Sequence, residues 1–122
     1  MTTTSDPITA STLAAVARFG AAFDRHDVDG VMAASTSDCV FENTSPAPDG
    51  ARYEGQAAVR AFWTRFFADN PDAHFTTEDQ FAAGDRCLVC WRYDWPGGHV
   101  RGVDVFRVRE GLVAEKLAYV KG

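Results

Sequence analysis

Nowhere does this sequence run for the roughly 18 consecutive apolar residues that a membrane-spanning helix needs. Met1–Pro7 has neither the basic start nor the apolar stretch of a secretory leader. These absences predict a cytoplasmic protein that meets no membrane. Lysine and arginine are nowhere gathered, and the formal net charge is −5. Phosphate backbones are held by clustered cations, so no nucleic acid is expected as a partner. Three cysteines, an odd number, do not make a disulfide framework and fit a reducing compartment. Internal repeats, low-complexity tracts and linkers are missing from the body of the chain.

What remains suffices for one core. The chain has 122 residues, 46% of them apolar and 12% aromatic, and a chain of this size buries roughly two-thirds of its unfolded surface. One domain is predicted over residues 9–122, preceded by a flexible, Thr/Ser-rich segment at 1–8 that Asp6-Pro7 closes.

Helical spacing dominates the first half. Leu13, Val16, Gly20 and Phe23 recur at three- and four-residue steps beside Phe19, with Ser11 as N-cap. His26-Asp27 breaks this helix, and Asp29 caps a short second one through Val31, Met32 and Ala33. The third is the clearest: Val59, Phe62, Trp63, Phe66 and Phe67 share one side, Arg60, Thr64 and Arg65 the other. Asn70-Pro71 stops it, because proline disfavours a helical residue before it.

The second half alternates as strands do. Phe75–Phe81, Cys87–Trp95, Val100–Val108 and Val113–Val120 are separated by turns at Ala83-Gly84-Asp85, Pro96-Gly97-Gly98 and Glu110-Gly111, and a short strand at Cys39–Asn43 lies between the second and third helices. Helices first and an antiparallel meander after them is an α+β pattern. Pairing Trp95 with Val100 across a four-residue loop sets Tyr93 opposite Gly102, Trp91 opposite Asp104, and Asp94 against Arg101. A three-residue Glu-Gly-Leu loop then sets Phe106 opposite Lys116 and Asp104 opposite Ala118. One face thereby collects Trp91, Tyr93, Trp95, Asp104, Phe106 and Lys116, and a slip of one residue would turn all of them over. The other face carries Leu88, Cys90, Val103, Val105, Leu117 and Tyr119, interrupted by Arg92, Arg107 and Glu115, which predicts a two-fold homodimer through the sheets.

Specific segments carry a family resemblance: Phe19 with Asp27-Val28-Asp29, Val40-Phe41-Glu42-Asn43, Tyr53-Glu54-Gly55, Gly102-Val103-Asp104-Val105-Phe106-Arg107, and Glu115-Lys116-Leu117-Ala118-Tyr119-Val120. Over nearly its whole length the chain resembles the SnoaL-like branch of the nuclear transport factor 2-like superfamily. The resemblance implies a cone-like fold, with three N-terminal helices packed in the concave face of a curved, mainly antiparallel sheet around a small-molecule pocket. Isomerases, cyclases, epoxide hydrolases, dehydratases and non-catalytic binders share that fold, so fold alone assigns no reaction.

Among these relatives, ketosteroid isomerase is informative by its differences. Its general-base aspartate falls on Asn43, its oxyanion-hole tyrosine on Phe19, and two further tyrosines on Ser35 and Trp63. Only its protonated aspartate finds a match, in Asp104. Without base or phenol, steroid isomerisation of that type is not expected. SnoaL-type polyketide cyclases resemble the chain in leaning on one late acidic residue. Epoxide hydrolase relatives need an arginine between two carboxylates, whereas Arg92 and Arg101 fall on the opposite face.

Asp104 sits between Val103 and Val105, where a charge is costly unless paired or neutralised. Lys116, diagonal to it, is the partner within reach. The catalytic candidates are therefore Asp104 and Lys116, with Tyr93 as an electrostatic neighbour. The pocket candidates are Phe19, Asn43, Trp63, Trp91, Tyr93 and Phe106. Cys87 and Cys90, three apart on a strand, point to opposite faces and cannot chelate one ion. His26, His74 and His99 read as scattered surface residues, and Gly97-Gly98 as a turn, so neither metal nor cofactor is expected. Two readings stay open. One is a cofactor-free acid/base enzyme of isomerase, cyclase or hydrolase type acting on a cyclic or polyketide-like molecule. The other is a non-catalytic module for ligand binding or dimerisation.

Overall fold

The computed structural model describes residues 6–122. The chain runs α1 (Pro7–Asp24), α2 (Val28–Ala33), β1 (Ser35–Glu42), β2 (Arg52–Glu54), α3 (Gln56–Asp69), β3 (His74–Ala83), β4 (Arg86–Trp95), β5 (Gly98–Arg109) and β6 (Leu112–Val120). One six-stranded sheet has the order β2-β1-β6-β5-β4-β3. All neighbours are antiparallel except β1 and β6, which run parallel. Register shifts in β3 between Thr77 and Asp79, in β6 at Ala114 opposite Arg107 and Val108, and in β1 between Ser35 and Val40 bend the sheet. The helices fill the hollow so made. No helix among the described residues is long and apolar enough to cross a membrane.

Several local expectations are corrected. Of the segment expected to be flexible, residues 1–5 lie outside the described residues, while Asp6 caps α1 and Pro7 opens it. The cap is thus Asp6 and not Ser11, since proline at the first helical position has no N–H to leave unpaired. Asp27, whose side chain accepts from Gly30 N at 3.0 Å, caps α2 in place of Asp29. The buried side of α1 is Thr12, Ala15, Val16, Phe19 and Ala22; Leu13 is 36% exposed, and Gly20 is exposed as well. Two polar contacts explain that rotation. Thr12 Oγ1 donates to Gly84 O at 2.7 Å, and Gly84 N donates to Thr9 Oγ1 at 2.8 Å, which pins the start of α1 to the β3–β4 turn. Arg18 reaches Gly111 O at 2.6 Å on the next turn of the meander. Helix α1 is thereby fastened across the open side of the sheet.

Strand β2 was not anticipated as a strand. Its three residues pair with Val40, Phe41 and Glu42 of β1, which itself begins at Ser35 and not Cys39. Helix α3 is seated by Gln56, whose amide N–H groups face the carbonyls of Met32, Ser35 and Thr36 at 3.1, 3.3 and 2.9 Å.

The hairpin register is also corrected, by two residues. Trp95 pairs with Gly98 across a tight Pro96-Gly97 turn, so Tyr93 lies opposite Val100, Trp91 opposite Gly102 and Val89 opposite Asp104. A shift of two preserves which face each residue takes. Asp94 accordingly meets His99 and is bridged by Arg92 at 2.9 Å, while Arg101 pairs with Glu78 at 2.8 Å. Between β5 and β6 the expected partners hold: Phe106 lies opposite Lys116, and Asp104 opposite Ala118. The turn there is Glu110-Gly111, and the extra residue that a longer loop was expected to hold is Ala114 of β6, left between the partners of Arg107 and Val108.

Candidate functional site

The concave face brings Asp104 of β5 and Lys116 of β6 together at 3.3 Å, Nζ to Oδ2. Both residues are over nine-tenths buried. Facing positions on adjacent strands put their Cβ atoms on the same side, and a lysine stem easily covers the diagonal. Lys116 Nζ lies 4.7 Å from the centre of the Phe41 ring, 5.2 Å from Trp63 and 5.7 Å from Phe23. Three aromatic faces and one carboxylate thus surround the ammonium.

Asp104 is less well provided for. Lys116 takes Oδ2, but Oδ1 is buried without a hydrogen-bond partner. Burial pushes the carboxyl above its ordinary value of 3.8, and the attraction of Lys116, opposing this, is the smaller effect. The Trp91 indole is near enough to ease the carboxylate charge, yet it forms no hydrogen bond with the carboxylate, and its Nε1 is itself buried without a partner. Trp91 owes its position to Gly102. A Cβ at Gly102 would stand 2.4 Å from the indole ring and 2.3 Å from Tyr119 O, so only glycine lets the ring lie across its strand neighbour.

Two adjoining cavities meet at this pair. The first, about 520 Å³, lies between α1 and strands β3–β5. The second, about 270 Å³, lies between α3 and the ends of β4, β5 and β6. Phe23, Phe75, Trp91, Asp104 and Lys116 line both. Of the residues singled out from sequence, Phe19 and Phe106 line the first cavity; Asn43, Trp63 and Tyr93 line the second; Trp91, Asp104 and Lys116 line both.

Not every one of these side chains is turned to the use expected. The Tyr93 hydroxyl donates to Asn70 Oδ1 at 3.4 Å, at the end of α3, so Tyr93 is not an electrostatic neighbour of Asp104. Asn43 spends its side-chain oxygen on Thr44 N at 2.8 Å. Phe19 packs edge-on against Phe106, with ring centres 5.6 Å apart. Ser35 bonds Val31 O and lines neither cavity. His26, expected at the surface, is half-buried and stacks on Phe67 at 4.5 Å. The residues that sequence reasoning missed are Phe23, Phe41, Phe75 and Gly102. Phe41 alternates with Val40 and Glu42, and a glycine inside a strand signals a close approach; both were readable cues. Phe75 reaches the site only through the curl of β3.

Comparison with known proteins agrees with this architecture. The profile of the SnoaL-like domain matches residues 16–116. No curated protein sequence matches the chain. A nuclear transport factor 2-like protein of unknown function from Mesorhizobium loti is 39% identical, covers 100% of both chains and superposes with a TM-score of 0.87. A protein from Kribbella flavida, assigned in name only as a ketosteroid isomerase, is 19% identical over 93% of this chain and 80% of its own, at a TM-score of 0.81. One from Xanthomonas campestris pv. campestris, assigned in the same way as a polyketide cyclase, is 21% identical over 93% and 92%, at 0.74. At those identities the last two speak for the fold alone. With the profile spanning most of the sequence and a full-length relative at 39% identity, the chain belongs to the SnoaL-like domain family.

Proposed function

We propose that this chain is a cofactor-independent acid/base enzyme that moves a proton on a hydrophobic small molecule, with Asp104 as the proton-transferring group. The observation that carries the reading is a buried carboxyl with one oxygen held by Lys116 and the other left without a partner. A carboxyl held above its ordinary value is closer to the working range of a general base or acid. Lys116 steadies the ionised form and has further N–H groups to meet an oxygen on which charge develops. Aromatic walls exclude water and strengthen both effects.

The test is hydrogen exchange on an enolisable hydrophobic ketone, 2-tetralone, in heavy water. Asp104 Oδ1 would take an α-proton as the C–H electron pair shifts to form the enolate, and a deuteron would return. Wild-type protein is expected to accelerate exchange, and Asp104→Asn, with its fold intact, to abolish the acceleration. Equal exchange by the two proteins would refute the reading. A second reading, a non-catalytic binder, is favoured by Asn43 and Phe19, which supply no second acid or base. It predicts binding of the ketone with no exchange at all.

The outer face of the sheet supports pairing with a second copy. Leu88, Cys90, Val103, Val105 and Leu117 are partly exposed there, and Tyr119 is 54% exposed. Arg107 and Glu115 lie among them at 3.7 Å, giving the face both signs of charge, which two copies related by a two-fold axis can pair reciprocally. Light scattering is expected to give a dimer mass, and Leu117→Arg a monomer. The three free thiols fit a reducing, cytoplasmic setting.

A further inference from the structure

The Asp104–Lys116 pair stands between the two cavities, since both of its members line both of them. A pocket whose polar group lies at its end selects a molecule with a polar head. Here the polar group is at the waist. On one side lie Val16, Phe19, Val89 and Phe106, and on the other Phe62, Trp63 and Phe66. The polar residues of the larger cavity, Asp24, Thr76, Thr77 and Gln80, are exposed at its mouth. Beyond the waist, therefore, each cavity offers mainly carbon surface.

At the waist two buried atoms lack partners: Asp104 Oδ1 and Trp91 Nε1. Both residues are over nine-tenths buried and both line the two cavities. Leaving such atoms unpaired costs folding free energy, so each is a place where a ligand atom gains by arriving. A hydroxyl answers both at once. Its oxygen accepts from the indole N–H, and its proton goes to Oδ1; were Oδ1 protonated, the same oxygen would accept from it too. A carbonyl answers the indole, and answers Oδ1 only while that oxygen carries a proton.

We propose that the ligand carries a hydroxyl at its middle and an apolar arm on each side, the larger arm in the cavity between α1 and β3 and the smaller beneath α3. This rests on the reading that Asp104 faces the ligand, and it names the ligand's class. The enolate formed by the proton transfer proposed above has the same central oxygen, and it becomes a hydroxyl if Asp104 returns the proton there instead of to carbon. The sizes fit: an apolar cavity of about 150 Å³ accepts one benzene ring, so 270 Å³ takes a single-ring arm and 520 Å³ a fused one. Trp91 becomes a ligand-binding residue through its N–H and not only through its ring.

Four compounds and a few variants test this by titration calorimetry. The probes are 2-naphthyl(phenyl)methanol, with two arms and the hydroxyl; 1-(2-naphthyl)ethanol, with one arm; 2-benzylnaphthalene, without the hydroxyl; and 2-tetralone. Gly20→Leu fills the larger cavity, since a Cβ at Gly20 meets nothing within 4 Å. Ala118→Leu fills the smaller, with Val120→Phe in its place should Ala118→Leu melt early.

The two-armed alcohol is expected to bind wild type at least about tenfold more tightly than either reduced compound. Each filling variant should weaken it by about tenfold or more, whereas 1-(2-naphthyl)ethanol should respond to Gly20→Leu alone. Trp91→Phe should weaken the alcohol by a larger factor than 2-benzylnaphthalene, which loses ring contact alone. If Gly20→Leu leaves the two-armed alcohol unaffected while 2-tetralone still binds and exchanges through Asp104, the two-armed ligand is wrong and the proposed function stands. If wild type binds none of the four compounds, both fall.

Discussion

Charge is handled in two opposite ways inside and outside this molecule. Outside, every ion pair among the described residues uses arginine, as in Arg101 on Glu78, Arg52 between Glu42 and Glu54, and Arg92 on Asp94. These pairs stand in water, where salt screens them and each contributes little. Inside, the pair uses Lys116, one of only two lysines in the sequence, with Lys121. A guanidinium presents its donors in a rigid fork, whereas an ammonium is a compact charge with rotatable donors. Some outer pairs join strands, as Arg101 of β5 joins Glu78 of β3 and Arg107 of β5 joins Glu115 of β6, while others, such as Arg92 with Asp94, lie within one strand. The inner pair taxes stability, because burying two charges costs more than their attraction returns unless every lone pair is met, and Oδ1 is not met.

The sharpest way to break this comparison is Asp104→Leu. Lys116 would be left as an uncompensated buried ammonium, and a loss of ~3–5 kcal/mol is expected by denaturant unfolding. Adding Lys116→Met should restore most of that loss, because an apolar pair of similar volume avoids the burial of charge. If the double variant remains as unstable as the single one, the pair is structural after all. Next in size is the milder Asp104→Asn. Its amide oxygen still accepts from Lys116, so the fold should survive, while affinity for a bound hydroxyl falls by ~1.5–3 kcal/mol as the charge-assisted bond is lost. A large fall in melting temperature with affinity per folded molecule unchanged would count against the ligand role.

A pH series separates the two regions by sign. The carboxyl of Asp104 is raised by burial, so the folded state holds its proton to a higher pH than the unfolded chain does. Relative to Asp104→Asn, wild-type stability should therefore fall as pH rises from 3.8 through the raised value. Glu78 is lowered by its hydrogen bonds from Arg101. Its contribution is present above 4.5 and lost as pH falls through the lowered value, so wild type compared with Arg101→Ala should show the opposite slope. Parallel slopes would mean that Asp104 is not desolvated. The smallest effect is Arg101→Ala itself at neutral pH and moderate salt, expected to leave the melting temperature nearly unchanged.

The inner pair was legible in the sequence, while much of its surroundings was not. Asp104 stands out because an acid between two β-branched residues must answer for its burial. Val89 replaced Trp91 as its direct partner on β4, but the set of residues on its face survived a wrong hairpin loop because an error of two residues leaves strand parity intact. The box around Lys116 is another matter. Phe23, Phe41 and Trp63 come from α1, β1 and α3. Their meeting depends on how far the sheet curls, and hence on register shifts that no local pattern announces. The start of α1 was misread for a related reason: Thr12 looks like a surface residue until Gly84 O is brought to it.

The indole of Trp91 has one more consequence. It lies against a titrating carboxyl, deep in the protein, while Trp63 sits over the ammonium and Trp95 stands 43% exposed at the other end of the hairpin. Protonated carboxyls quench indole emission more strongly than ionised ones. The blue-emitting, buried fraction of the fluorescence should then dim as Asp104 takes up its proton, while the red-shifted light of Trp95 stays as it was. The molecule thus carries its own optical indicator of the protonation state of Asp104, readable without label or substrate, and a ligand seated at the waist should change its colour.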